Sequence, residues 1–278
     1  MISIVSDSSC DLPREIIDHY RIRIVPLKIL IEEEEYLEGV DITPEEFAHK
    51  MLKTKTLPKT SQPSPAVFSQ AFKELSAENE DNQILCLTIS SKLSGTYQSA
   101  VLGKEMSGLS RVTVFDTLAG SLGHGLQIMK AAEMSLQGFS LEKIIEELKS
   151  YRKRMNILIL LDTLENIVKG GRLSKFKGSL AEILNIKVLL EGVEGEVRLL
   201  SKVRGRKKFL RHALELIGTK LGAGQNLMFG ITHLNNQKDT EYLSQEIKER
   251  YQPKGIIINH MGATMGTYAG NGGLIISF

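Results

Sequence analysis

Ser94, Gly95 and Thr96 form a turn whose residue types suit the binding of an anion. The turn follows the apolar residues 84–89, which predict a buried strand, and it precedes a helical segment that opens at residues 97–100. The start of a helix offers free N–H groups and positive dipole charge, glycine lets a ligand approach the backbone, and hydroxyls donate hydrogen bonds. The pattern therefore predicts a carboxylate or phosphate site. The alternative is that Ser94 only caps the helix.

Thr60 and Ser61 are two further hydroxyl side chains without an evident local role. The helix that follows them has its own start signals, with Ser64 as the expected cap and Pro65 at the first helical position. Thr60 and Ser61 lie outside that helix and remain free to donate hydrogen bonds to a ligand.

Ser121 raises a different possibility, that of a serine hydrolase. Residues 119–123 read AGSLG between a predicted strand and helix, which is close to the G-x-S-x-G nucleophile turn of α/β-hydrolases with alanine in first place. A hydrolase of small esters also needs an acid and a histidine, and His233 and His260 are candidates for the base. The alternative is a tight glycine turn in which Ser121 caps the helix.

Composition excludes several other classes of function. The 35 Lys and Arg against 33 Asp and Glu leave a net charge of +2, which gives no electrostatic reason to expect nucleic-acid binding. Phosphate-loop and dinucleotide motifs are absent, and the six histidines lack metal-ligand spacing, so we expect no cofactor and no metal. No run approaches the ~18 apolar residues of a membrane span, and the sequence begins directly with a strand pattern rather than a signal peptide. Cys10 and Cys86 are far apart in the sequence and are expected to be reduced thiols, so we expect a cytoplasmic protein.

Strand and helix patterns alternate through the first half of the chain. Asp11 and Pro13 predict a helix start, as do Thr43, Pro44 and Glu46 in capping-box spacing. The alternation predicts an α/β domain with a parallel sheet and helices on both faces. Ligands of such sheets bind beyond the carboxyl ends of strands, where the Ser94 turn lies. The strands are expected at residues 2–5, 24–31, 84–89 and 112–115.

The second half shows a different pattern, with a hairpin around residues 192–195 and a helix that begins at the basic residues 204–208. Hairpin and crossover units together predict an α+β domain with a mixed or antiparallel sheet. We therefore expect two domains, an N-terminal α/β domain of residues 1–153 and a C-terminal α+β domain of residues 154–278. Further strands are expected at residues 156–162, 227–232, 255–259 and 274–278.

Several short motifs, taken together, resemble the DegV family in order and spacing, and the resemblance runs over essentially the whole chain. The motifs are DSSCDLP at 7–13, TSQPS at 60–64, ISSKLSGTY at 89–97, KGGR at 169–172 and KVR at 202–204.

This resemblance implies a two-domain carrier that is not itself an enzyme and that buries a long-chain fatty acid in a tunnel between its domains. It further implies delivery of the acid to a separate fatty-acid kinase, which makes an acyl phosphate for phospholipid synthesis. By resemblance, the carboxylate would be held by hydroxyl and amide donors on two loops, with Arg172 supplying charge or bracing a loop. Those donors are Thr60, Ser61, Ser94, Gly95 and Thr96.

Tyr268 is the main departure from the family pattern. The C-terminal turn of the family usually reads Gly-Thr-His-x-Gly-Pro-Gly, whereas residues 266–272 read GTYAGNG, which puts Tyr268 in the histidine position near the carboxylate. Tyrosine can donate one hydrogen bond but cannot become a cation near neutral pH, and its larger ring narrows the pocket. One alternative is therefore that the ligand is a different acyl or lipid molecule. Another is that Tyr268 only packs in the interior, with its hydroxyl bonded to the backbone.

The dense basic cluster at Arg204, Arg206, Lys207 and Lys208 allows two interpretations. Charge runs of this kind are commonly solvated helix starts. By resemblance to the family, the cluster would be the docking patch for the kinase, with Arg204 as the main contact and Arg206 beside it.

Overall fold

The computed structural model describes residues 2–54, 56–79, 81–174, 186–221 and 227–278. Its first seven strands precede residue 117. They are β1 (Ile2–Asp7), β2 (Arg23–Val25), β3 (Lys28–Ile31), β4 (Glu34–Leu37), β5 (Lys59–Ser61), β6 (Gln83–Thr88) and β7 (Val112–Asp116). The helices of this part are α1 (Arg14–His19), α2 (Pro44–Lys53), α3 (Pro65–Glu78), α4 (Thr96–Ser107), α5 (Leu122–Leu136) and α6 (Leu141–Arg154).

Four of these strands form a parallel sheet in the order β2-β1-β6-β7. Alternate residues of β6 point to opposite faces, as the two-residue period of a strand requires. Leu85 and Leu87 pack with α5 and α6, whereas Ile84 and Cys86 pack with α3 and α4. The predicted parallel sheet with helices on both faces is confirmed.

The second half of the chain contributes six strands and four helices. The strands are β8 (Ile157–Leu161), β9 (Lys187–Val193), β10 (Glu196–Val203), β11 (Met228–His233), β12 (Gly255–His260) and β13 (Leu274–Ser277). The helices are α7 (Glu165–Lys169), α8 (Arg206–Leu221), α9 (Gln237–Tyr251) and α10 (Ala263–Ala269).

These six strands form a separate sheet in the order β10-β9-β8-β13-β11-β12. β11 and β12 are parallel, and the other neighbours are antiparallel, so the predicted mixed sheet is confirmed. One face packs on α8 and α9, and the other faces α7 and α10.

A small antiparallel sheet, β4-β3-β5, joins the two halves and was missed in the sequence. The apolar run of residues 24–31 looked like one strand, but the chain divides it into β2 and β3 around Pro26, which has no N–H to donate to a ladder. Ile29 and Ile31 of β3, with Phe47 of α2, share an apolar core with the six-stranded sheet. The boundary between residues 153 and 154 remains a proposal.

Two predicted helix starts are corrected by the structure. Asp11 does not cap α1, because a short 3₁₀ turn at Ser8–Cys10 comes first and Pro13 precedes the helix. The φ angle of Asp11 is 51°, in the left-handed region, and its carboxylate faces other elements. The helix expected from residue 204 begins at Arg206. The capping box of α2 is confirmed, with Thr43 and Glu46 bonded to each other's backbone N–H. None of the described helices is long and apolar enough to cross a membrane.

Candidate functional site

A cavity that is partly open to solvent lies where β5, the turn after β6, β8, α7, α10 and β13 meet. Both halves of the chain contribute to its wall, which is mainly apolar. Its apolar lining is Leu27, Ile89, Leu93, Ile159, Leu161, Ile167, Val197, Met265, Ala269 and Ile275. Its polar lining is Thr60, Ser94, Arg172, Thr264 and Tyr268.

Thr60 and Tyr268 lie together at this cavity. Thr60 is half-buried on β5, Tyr268 is half-buried on α10, and their hydroxyl oxygens are 2.6 Å apart. Each hydroxyl carries one hydrogen, and one of the two is used in their mutual bond. The pair therefore has one hydrogen left to donate to a ligand.

Ser94 lines the same cavity from the turn between β6 and α4. Its Oγ accepts the N–H of Thr96 at 3.3 Å and lies 2.8 Å from Oγ1 of Thr96. Gly95 occupies the cap position of α4. Ser94 therefore does not occupy the cap position that the capping interpretation gave it. Its hydroxyl accepts the N–H of the first helical residue and lines the cavity.

Arg172 brings a positive charge to the cavity. Its Nε donates to the carbonyl of Leu93 at 3.3 Å, its Nη1 donates to the carbonyl of Gly170 at 2.6 Å, and its Cζ lies 5.0 Å from the centre of the Tyr268 ring. These described contacts are two carbonyl oxygens and an aromatic ring, none of which carries a negative charge. The arrangement can therefore accept an anion.

Gly170 shapes this end of the cavity, and its role was missed in the sequence. A Cβ atom at Gly170 would overlap the edge of the Tyr268 ring. The KGGR motif therefore lets the backbone approach that ring, against which Arg172 also packs. The sequence signal was the glycine pair itself, since glycine commonly marks close approach of a backbone to another group.

Three residues that the resemblance assigns to the carboxylate do not line the cavity. Ser61 is exposed on β5, because successive strand residues face opposite sides and Thr60 faces inward. Gly95 is exposed beside the Gln62 side chain. Thr96 is fully buried at the start of α4. The apolar wall was also missed, because its members come from distant positions that no local pattern connects.

Ser121 does not show the contacts that a hydrolase needs. Its side chain is fully buried, donates to the carboxylate of Asp11 at 2.6 Å and lies 2.7 Å from Oγ1 of Thr232. A serine nucleophile is activated by a neighbouring base, usually histidine. The described partners of Ser121 are instead an acid and a hydroxyl, and His233 and His260 pack against each other.

Arg204 and Arg206 have different surroundings although both are exposed. Arg206 donates to Asp239 through Nε at 2.8 Å and to Asn236 through Nη2 at 3.0 Å. Asp239 is buried, so Arg206 has a structural role at the contact of α8 and α9. Arg204 precedes α8 and keeps its charge in solvent.

Comparison with known proteins agrees with this architecture. The model of a family described as "Uncharacterised protein, DegV family" matches residues 1–278. A DegV domain-containing protein of Caldanaerobacter subterraneus subsp. tengcongensis is 33% identical over 270 residues, 97% of this chain and 95% of its own. The chain belongs to the DegV family.

Two solved structures share the fold along the whole chain. A DegV family protein from Thermus thermophilus, described by its fatty acid binding, superposes with a TM-score of 0.90 at 31% identity, covering 100% of this chain and 99% of that one. DegV of Bacillus subtilis, described as a fatty acid binding protein, superposes with a TM-score of 0.89 at 28% identity. The match covers 99% of this chain and 98% of that one.

Proposed function

We propose that this protein binds a long-chain fatty acid, with its hydrocarbon in the apolar cavity and its carboxylate at Thr60, Ser94, Tyr268 and Arg172. One observation carries the proposal: an apolar cavity ends at three hydroxyls and at a guanidinium whose described contacts are all uncharged. That combination matches a ligand with a long apolar body and one anionic end. The relatives described as fatty acid binding proteins support it.

The energetics favour such a ligand. Burial of a hydrocarbon chain contributes about 0.8 kcal/mol per methylene, which supports tight binding after the cost of ordering the chain is subtracted. The carboxylate would gain charge-assisted hydrogen bonds, which are about twice as strong as neutral ones. Tyr268 supplies a hydroxyl but no charge, so Arg172 provides the cation at this end. The protein itself performs no chemistry on the ligand and acts as a carrier.

The first test is to purify the native protein, extract its bound lipid into organic solvent and identify that lipid by mass spectrometry. We expect one long-chain fatty acid per protein chain. A different acyl lipid in the extract would keep the cavity as a lipid site but reject the fatty acid. Failure of the folded, ligand-free protein to take up any fatty acid would reject the proposal.

Residues at the polar end are tested by the double variant Thr60→Ala with Ser94→Ala, compared with Ser61→Ala as a matched control. Ser61 is the exposed neighbour of Thr60 on β5, so its loss leaves the cavity intact. We expect the double variant to bind fatty acid about tenfold more weakly, because the Ser94 donor to a charged group is lost together with the Thr60 hydroxyl that holds Tyr268. Equal affinity of the double variant and the control would place the carboxylate elsewhere.

We further propose that the carrier presents its carboxylate to a fatty-acid kinase and that Arg204 contacts that partner. Arg204 is exposed just before α8 and is available to an acidic surface. Arg204→Ala should retain the fatty acid and slow its phosphorylation by the kinase, whereas Lys153→Ala, an exposed charge at the end of α6, should not. Equal phosphorylation rates for Arg204→Ala and the unaltered protein would reject this contact.

A further inference from the structure

Two segments run along the cavity from its polar end. In the turn after β6, Ser94 lies at the polar end, and Ile89 lines the cavity where the turn begins. In α10, Tyr268 lies at the polar end, and Met265 lines the cavity about one helical turn earlier. Each segment therefore places a polar side chain at one end of the cavity and an apolar side chain farther along its wall.

The two apolar side chains meet over Gly120, in the turn that precedes α5. A Cβ atom at Gly120 would lie 3.2 Å from Cε of Met265 and 3.4 Å from its Sδ. The same Cβ atom would lie 3.6 Å from Cδ1 of Ile89. The tip of the Met265 side chain therefore rests on the backbone of this turn, and Gly120 is buried behind it.

The turn behind these side chains is anchored on both sides. The N–H of Ser90 donates to the carbonyl of Ala119 at 2.8 Å, and the N–H of Ser121 donates to the carbonyl of Ser9 at 2.9 Å. Ala119 and Ser121 are both buried. The turn therefore forms a firm wall.

α10 is also held in place on two sides. The N–H and the hydroxyl of Thr264 donate to Glu38 at 2.6 and 2.7 Å. A Cβ atom at Gly266 would lie 2.8 Å from Cε1 of Phe47, so α10 packs directly on α2. The adjustable part of this region is therefore the side chain of Met265, since methionine is unbranched and flexible.

We propose that Met265 is a specificity-determining residue, which closes the far end of the cavity against Gly120 and sets the longest acyl chain that the protein binds. The inference rests on the proposed function and deepens it, since it assumes a fatty acid whose carboxylate is fixed at the polar end. With that end fixed, each further methylene extends toward Met265. A methylene that fits adds about fourfold to the affinity, whereas one that does not fit must displace the methionine.

Gly120 allows the position of the Met265 tip to be changed from behind. The φ angle of Gly120 lies outside the left-handed region, so alanine brings no backbone strain there. Its methyl group would press on Cε of Met265 and move this atom toward the cavity. Gly120→Ala should therefore shorten the space for the chain without changing a residue of the cavity lining.

The test measures dissociation constants of the ligand-free protein for a homologous series of saturated fatty acids and finds the chain length that binds most tightly. Met265→Ala removes three heavy atoms, so we expect this optimal length to increase by about two to three methylenes. Gly120→Ala should decrease it by about one methylene, because the cavity becomes shallower.

The double variant Met265→Ala with Gly120→Ala tests whether the two residues act together. Without the methionine tip, the new methyl group has space, so the double variant should keep the longer optimum of Met265→Ala. Met106→Ala is the matched control, since Met106 is 57% exposed on α4 and lies outside the cavity lining. It should keep the optimum of the unaltered protein.

An equal loss of affinity for every chain length in Met265→Ala, with an unchanged optimum, would show that Met265 only packs in the wall, and this outcome overturns the inference. Thermal transitions of the ligand-free variants check their folding. If Met265→Ala does not fold, Met265→Leu nearly conserves the side-chain volume but shortens its reach, and it should lengthen the optimum by about one methylene. Failure of the unaltered protein to bind any member of the series would instead reject the proposed function.

Discussion

The phenolic oxygen of Tyr268 lies 2.6 Å from Oγ1 of Thr60, although 208 positions separate the two residues in the chain. Thr60 belongs to the small sheet of the N-terminal half, whereas Tyr268 belongs to α10 near the C-terminus. Their contact joins the two halves at the polar end of the cavity. It also defines which hydroxyl hydrogens remain for a ligand.

Loss of the Tyr268 hydroxyl should weaken ligand binding. A net hydrogen bond contributes about 0.5–1.5 kcal/mol, so Tyr268→Phe should raise the dissociation constant of a fatty acid about two- to tenfold. Thr60→Val should have a similar effect. The loss of binding free energy in the double variant should be smaller than the sum of the two single losses, because the two hydroxyls act as one unit. Calorimetric titration of the ligand-free variants measures this coupling.

Tyr36→Phe is the matched control for that experiment, since the Tyr36 hydroxyl bonds to Glu34 on the exposed strand β4 and not to the cavity. Strictly additive effects of Tyr268→Phe and Thr60→Val would contradict the shared hydrogen bond.

Gly170→Ala should displace the Tyr268 ring, because the new methyl group would overlap it. Arg172 packs against the same ring, so we expect a loss of ligand affinity that exceeds the loss of stability. Gly171→Ala is the comparison. Its Cβ would meet nothing within 4 Å, but its φ of 70° costs a residue with a side chain about 1–2 kcal/mol. Thermal transitions and fatty-acid affinities of both variants separate the loss of stability from the loss of affinity. A larger loss of affinity for Gly171→Ala than for Gly170→Ala would contradict this expectation.

Stability should fall as the pH rises from about 4 to about 8. The folded state raises the pKa of Asp11 from 3.8 to about 8, so between these values it holds a proton that the unfolded chain releases. Stability then decreases by about 1.4 kcal/mol per pH unit for each such proton, and the decrease ends above the folded pKa. Glu38 acts in the same direction because burial also raises its pKa.

Buried histidines act in the opposite direction at acidic pH. Burial lowers the pKa of His124 and of His233, so the unfolded chain takes up protons that the folded chain does not, and stability falls as the pH drops below about 6.5. Urea unfolding from about pH 7 to about pH 8 therefore isolates the acids, because the buried thiols of Cys10 and Cys86, whose pKa values burial raises, contribute only at higher pH. Asp11→Asn should flatten the decrease in this interval, and a free energy of unfolding that rises there would contradict the assignment.

Arg206 and Arg204 should differ in their effect on stability. Arg206→Ala leaves the buried carboxylate of Asp239 without its cation and should cost about 1–2 kcal/mol. Arg204→Ala changes an exposed residue and should leave the thermal transition in place. Equal transitions for both variants would show that the Arg206–Asp239 pair contributes nothing to the contact of α8 and α9.

Elements with a strong periodic or capping signal were predicted well. The hairpin at residues 192–195 is formed by β9 and β10, and α2 begins at Pro44 behind its capping box. The small β4-β3-β5 sheet was missed because its strands are short and its packing partners lie in the C-terminal half. Asp11 was misassigned because Asp followed by Pro resembles a helix start, whereas its carboxylate is used by Ser121 and Gly262.

The sequence by itself determined the two sheet types, the family and the placement of hydroxyl donors near the ends of strands, because these follow from local periodicity and short motifs. Only the tertiary structure decided that Thr60 rather than Ser61 faces the cavity, that Arg172 packs against Tyr268, and that Ser121 bonds to Asp11. The physical reason is that each of these contacts joins distant segments. Which side chains meet there is fixed by how the sheets and helices pack, and no local pattern along the chain encodes it.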